Sequence, residues 1–117
     1  MIASAQVIAN IFSNIPEDLP EELFETLAKS GSIRLERIVS HGHATADDQW
    51  YDQDCDEWVL LLTGSAGLLF EGQTDPQVLE AGDYVMIPAH CRHRVAWTDQ
   101  RVKSVWLAVH FSGGAVQ

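Results

Sequence analysis

Three histidines and one glutamate carry the most distinctive chemistry in this chain. His41 and His43 stand two residues apart. On a strand both imidazoles would share one face, roughly 7 Å apart along the backbone. Glu57 opens the apolar run Glu-Trp-Val-Leu-Leu-Leu-Thr, and His93 opens a second short strand-like segment. Brought together from separate strands, these side chains would form a mixed nitrogen and oxygen ligand set. Such a set suits Fe, Mn, Ni, Cu or Zn better than Ca or Mg. His41, His43, Glu57 and His93 are therefore the expected ligands of one divalent transition metal of open identity. The His-x-His pair alone is a weak pattern; Glu57 and His93 strengthen it.

Other residues bear on the same site. Arg37 shares strand parity with His41 and His43, so an inward guanidinium there would anchor a carboxylate or phosphate bidentately. An outward salt bridge is the competing reading. Residues 44–56 form a long acidic connection with Trp50 and Tyr51 inside it. Folded over a barrel mouth, it would make Tyr51 an acid or hydrogen-bond donor, so Tyr51 and Arg37 are the candidate catalytic residues. The alternating Asp52, Asp54 and Asp56 lack the glycine and distal glutamate of an EF-hand loop, which favours a solvated acidic segment. Cys55 shares parity with Glu57, and Cys91 with His93, which would bring either thiol near the site; small loop fillers are the plainer reading. His90 reads as a loop neighbour of the site and His110 as a structural residue of the last strand. No nucleophile elbow, phosphate-cradling glycine loop, dinucleotide fingerprint or paired-cysteine zinc site is present.

The elements that must position these groups are mostly strands. From Ile33 the apolar period is two, and strands are predicted at 33–43, 57–63, 65–71, 77–80, 84–88, 93–97 and 103–111. Turn chemistry separates them, notably Gly-Gln-Thr-Asp-Pro at 72–76 and Ala-Gly-Asp at 81–83. That spacing predicts an all-β sandwich or barrel. Residues 18–29 predict one helix packed outside it. Asp18 and Glu21 resemble a capping box, Pro20 suits a first turn, and Leu19, Leu23 and Leu27 with Phe24 form a stripe before the Gly31 stop. The expected organisation is one domain, with an arm and helix over 1–32 and the barrel over 33–117.

Composition bounds the function. The chain has 117 residues, 46% of them apolar and 21% charged, enough for a single buried core. A net charge of −10, with no Lys or Arg before Lys29, argues against nucleic-acid binding. No apolar run reaches the roughly 20 residues of a membrane helix. The first residues lack the basic start of a secretory signal, so a cytoplasmic location is expected. Two cysteines are too few for a disulfide framework.

The spacing of these residues resembles the small single-domain cupins. Their first motif is Gly-x5-His-x-His-x3-4-Glu-x6-Gly; here His41, His43, Glu57 and Gly64 match it. Their second is Gly-x5-Pro-x-Gly-x2-His-x3-Asn; here Gly82, Pro88 and His93 match. The chain departs in placing thirteen residues between His43 and Glu57, and in having Leu35, His90 and Trp97 at the positions of two glycines and the asparagine. The resemblance spans about residues 33–111 and implies a jelly-roll barrel with a metal inside. It also implies dioxygenase, isomerase or decarboxylase chemistry on a small organic substrate, without choosing among them. The alternative is a non-catalytic cupin that binds a small molecule, with or without metal. Small cupins often pair, and the apolar arm is a spare surface, so a homodimer is expected.

Overall fold

The computed structural model describes residues 6–112, and these form eight β-strands and no helix. Residues 1–5 of the expected arm and 113–117 of the expected barrel lie outside the described residues. The strands are β1 (Leu23–Ser30), β2 (Ile33–Ser40), β3 (Asp56–Leu61), β4 (Ser65–Phe70), β5 (Gln77–Glu80), β6 (Tyr84–Ile87), β7 (His93–Thr98) and β8 (Ser104–Phe111). Two antiparallel sheets face each other, one in the order β1-β2-β8-β3-β6 and the other β5-β4-β7. The core lies between them, built on Val59, Leu61, Ala66, Leu68, Leu79, Ile87, Trp106 and Ala108.

Alternation explains why these segments take their faces. On β3 Glu57, Val59 and Leu61 are buried while Trp58 and Leu60 are half-buried. On β8 Trp106, Ala108 and His110 are the corresponding buried set. Gly64 turns β3 into β4 at φ 79°, and a Cβ there would lie 2.8 Å from the Ser104 Cα. Thr63 locks the same turn: its hydroxyl donates to the Lys103 carbonyl at 2.9 Å and accepts from the Val105 N–H at 3.0 Å.

The expected helix over 18–29 is replaced by β1. Leu23–Ser30 pairs with β2 through seven register pairs, from Leu23 opposite Val39 to Ser30 opposite Ile33, with a bulge between Thr26 and Ala28. A helix lying outside would leave the outer edge of β2 unpaired, and the unmade ladder bonds outweigh the helical propensity of Leu, Glu and Ala. Gly31 is a stop, as expected, but the stop of a strand: it sits at φ 57° in the two-residue turn between β1 and β2.

Candidate active site

A cavity of about 80 Å³ opens between the two sheets. Ile38, Val59, Leu68, Ile87, Val95 and Trp106 make apolar walls, and Glu22, Glu36, Tyr51, Glu57, His93 and His110 bring polar groups. Strand pairing is what assembles the polar end. Glu57 on β3 lies directly opposite His110 on β8, and Glu36 on β2 lies opposite Ala108, diagonal to His110. His93 enters from β7 in the other sheet.

The two edges of the Glu57 carboxylate face different imidazoles. Oε1 is 3.7 Å from His93 Nε2 and Oε2 is 3.9 Å from His110 Nε2. Both separations exceed hydrogen-bond length, so these polar edges are not consumed by one another. Burial raises the Glu57 carboxyl above the usual carboxylate range, with Glu36 adding to the rise; the charges of His110 and His93 oppose it without prevailing.

The surrounding bonds fix each imidazole. His93 Nδ1 lies 2.8 Å from the Cys91 carbonyl, which can only accept, so Nδ1 carries the proton and Nε2 is turned to Glu57. His110 Nε2 lies 3.0 Å from Glu36 Oε1. Burial alone would raise Glu36, but the bond with His110 and the charge of Arg34 outweigh it and hold the carboxyl low. Glu36 is thus a carboxylate and His110 donates to it. Among the described residues three buried side-chain nitrogens have no hydrogen-bond partner: His110 Nδ1 and Trp106 Nε1, on residues that line the cavity, and Arg94 Nε, on one that does not.

Tyr51 reaches the cavity from the acidic connection. It pairs with His93 through two backbone bonds of 2.7 and 3.1 Å, and the two rings lie 5.6 Å apart. Burial and the charge of Glu22 push its phenol up, so it remains a neutral donor. The connection runs along β7: Thr45 exchanges bonds with Val95, and Trp50 sits against Arg92 and Arg94. Its far end is tied by His90 to Asp52 at 3.1 Å. Of the aromatic pair, Tyr51 lines the cavity and Trp50 does not.

The structure therefore brings together Glu57, His93 and Tyr51 of the expected site, and does not bring His41, His43 or Arg37 to them. β2 ends at Ser40, and Gly42 bends the chain at φ 77°. His43 Nδ1 accepts the His41 backbone N–H at 2.9 Å, and its carbonyl accepts from Thr98. Arg37 takes the outward of its two readings: Glu36 and Ile38 line the cavity, so Arg37 faces the other way. There it pairs with Glu25 and donates to the carbonyls of Ile11, Ser13 and Asn14. Neither cysteine lines the cavity. Cys91 packs on the core, and burial, with Asp54 beside it, pushes the Cys55 thiol up.

Four contributors were missed from sequence: Glu22, which the helix reading placed outside, and Glu36, Trp106 and His110. The two-residue period held the signal, since His110 alternates with Ala108 and Trp106, and Glu36 with Ile38.

The cupin domain family model matches residues 36–110, and the chain belongs to that family. A proposed mannose-6-phosphate isomerase from Ralstonia eutropha is 45% identical, with 92% of this chain and 100% of that one covered at a TM-score of 0.88. A cupin superfamily protein from Desulfitobacterium hafniense is 21% identical, covering 85% of this chain and 84% of that one at a TM-score of 0.69. An RmlC-like cupin from Methanocaldococcus jannaschii with a double-stranded β-helix fold is 16% identical, covering 84% and 86% at 0.65. These last two share the fold. No curated protein matches the chain.

Cupins commonly hold a metal, so the donor set was tested against one. Among the described residues no group of three or more His, Cys, Asp or Glu side chains converges to hold a metal ion. Glu57 and His93 approach each other, but the His41 and His43 half of the expected set stays outside the cavity. The four residues do not fit a shared metal in this arrangement.

Proposed function

We propose that this cupin is an isomerase-type enzyme that moves a proton within a small hydroxycarbonyl compound held in the barrel cavity. The observation that carries the reading is Glu57, a buried carboxyl raised above its usual range and flanked by two imidazoles that leave room between them. A carboxylate tuned upward is a stronger base in its ionised form and a usable acid when protonated. Glu57 would take the proton from the carbon beside the carbonyl and return it to the former carbonyl carbon through an enediol. Tyr51 would donate to the oxygen on which charge develops, and His93 Nε2 would relay the hydroxyl proton. The Glu36–His110 pair would hold that end of the cavity in place. The R. eutropha relative supports isomerase-type chemistry. In this reading Glu57 and His93 are acid and base groups, not half of a metal site.

The test is deuterium incorporation from D₂O into a panel of small hydroxyaldehydes and hydroxyketones, followed by NMR. Exchange should occur beside the carbonyl and fall about a hundredfold or more in Glu57→Gln. It should survive dialysis against a chelator; loss on chelation with recovery on adding one metal would overturn the metal-free reading. Saturable binding of a panel member without any exchange would make the chain a binding module.

We also propose a homodimer that uses the N-terminal arm. Val7 is 88% exposed and Ile8 98%, on a segment that Arg37 fastens to the sheet.

A further inference from the structure

We infer that the cavity takes an uncharged, unphosphorylated hydroxycarbonyl compound of roughly triose size and rejects phosphate esters. The inference rests on the cavity being the substrate site and adds the substrate class. Three carboxylates line it, Glu22, Glu36 and Glu57, and no lysine or arginine does. The chain has seven Lys and Arg residues in all. Arg34 pairs with Glu36 at 3.0 Å, and Arg37 faces the opposite side of β2. Arg92 and Arg94 lie against Trp50, paired with Glu71 and Asp47. Lys29, Arg101 and Lys103 lie away from the lining. The backbone N–H groups of His93 and Val95 beside the site are spent on the Tyr51 carbonyl and the Thr45 hydroxyl. A dianionic phosphoryl group would lose its hydration here and meet carboxylates without a compensating cation.

The groups left without partners suit hydroxyls and carbonyls instead. Trp106, 3% exposed, offers an unpartnered indole N–H, and His110 Nδ1 is a second buried nitrogen without a partner. Buried polar nitrogens of this kind normally find a partner, and a sugar-like molecule supplies both a donor and an acceptor. A cation is less suited, because Arg34 and His110 already answer Glu36, and Ser40 donates to Glu22. At about 80 Å³ the space holds roughly five to eight water-sized groups, the size of a triose or slightly more.

The experiment titrates the full chain, labelled with ¹⁵N-histidine, with dihydroxyacetone, dihydroxyacetone phosphate, mannose and mannose 6-phosphate. The readout is the imidazole signals of His93 and His110, with deuterium exchange measured on the same samples. Dihydroxyacetone should shift both imidazoles, dihydroxyacetone phosphate should bind about tenfold more weakly or worse, and mannose and its 6-phosphate, both larger than the cavity, should bind more weakly than dihydroxyacetone. Glu22→Arg should narrow or reverse that ratio, and Glu22→Gln should move it the same way by less, should the arginine variant fold poorly. Phosphate esters binding as tightly as their parents would overturn the inference, as would all four compounds leaving both imidazoles unmoved. The predicted preference without exchange would leave the inference standing and overturn the proton-transfer reading. Exchange confined to the phosphate esters would do the reverse.

Discussion

Glu57 sits where ionisation is most expensive, and that has a measurable signature. Its carboxyl is raised in the folded protein, so between the ordinary glutamate range and the raised value the native state binds more protons than the unfolded chain. Stability must then fall as pH rises through that window. Glu36 has the opposite sign: its carboxyl is lowered, so its contribution is present above the ordinary range and is lost as pH falls through its folded value. Glu57→Gln should flatten the decline on the alkaline side while leaving the acid limb intact. Urea midpoints measured across pH would show this, and an unchanged profile would mean that Glu57 is not the strained group. The same substitution should raise stability at neutral pH while removing exchange, since a group held for chemistry is held against its solvation preference. A Glu57 variant that lost both stability and activity would point to a structural role instead.

At the scale of elements, most of the architecture was legible before any coordinates. Seven predicted strands correspond to β2 through β8, because alternation and turn residues are local properties. Two things were not local. The stripe Leu19, Leu23 and Leu27 suits a helix, yet the segment pairs as β1 with β2 across a two-residue turn; the sheet that makes this edge worth pairing is completed on the other side of β2 by β8, far later in the chain. Facing on β2 was the other. Parity groups Arg37 with His41 and His43 but leaves an inward anchor and an outward salt bridge both open; in the folded sheet Glu36 and Ile38 face the cavity and Arg37 faces away. That one-residue difference in facing explains why Arg37, and with it a substrate anchor, left the cavity. Turn positions carry their own prediction. Gly64→Ala combines a left-handed φ of 79° with a Cβ only 2.8 Å from the Ser104 backbone, so it should destabilise by about 2–4 kcal/mol in thermal or urea unfolding. Gly72→Ala is the control: its φ is 91° but nothing lies within 4 Å, so it carries strain without the clash and should lose less.

At the scale of the molecule, the arm and the charge distribution separate association from chemistry. Arg37, 5% exposed, spends its guanidinium on Glu25 and on three carbonyls of the arm, which leaves Val7, Ile8 and Phe12 turned to solvent. Apolar side chains fixed in place on a surface are suited to a second copy. Light scattering of a chain lacking residues 1–14 should give a lower mass than the full chain, and Arg37→Ala should weaken the dimer without touching the cavity. An unchanged dimer in both would remove the arm from the interface.

The place of β8 sets an order of events during synthesis. It is the last of the eight strands to leave the ribosome, yet it lies in the middle of its sheet, between β2 and β3. Without it, β1–β2 and β3–β6 are two antiparallel pairs whose facing edges are unsatisfied, and the gap between them is one strand wide. Closure is a single late insertion that joins both pieces, with long sequence separation and the slow, aggregation-exposed character that non-local pairing brings. His110 and Trp106 travel on that strand, so a nascent barrel holds Glu57 without the His110 that lies opposite it, and the cavity acquires its chemistry in the same step that seals the sheet.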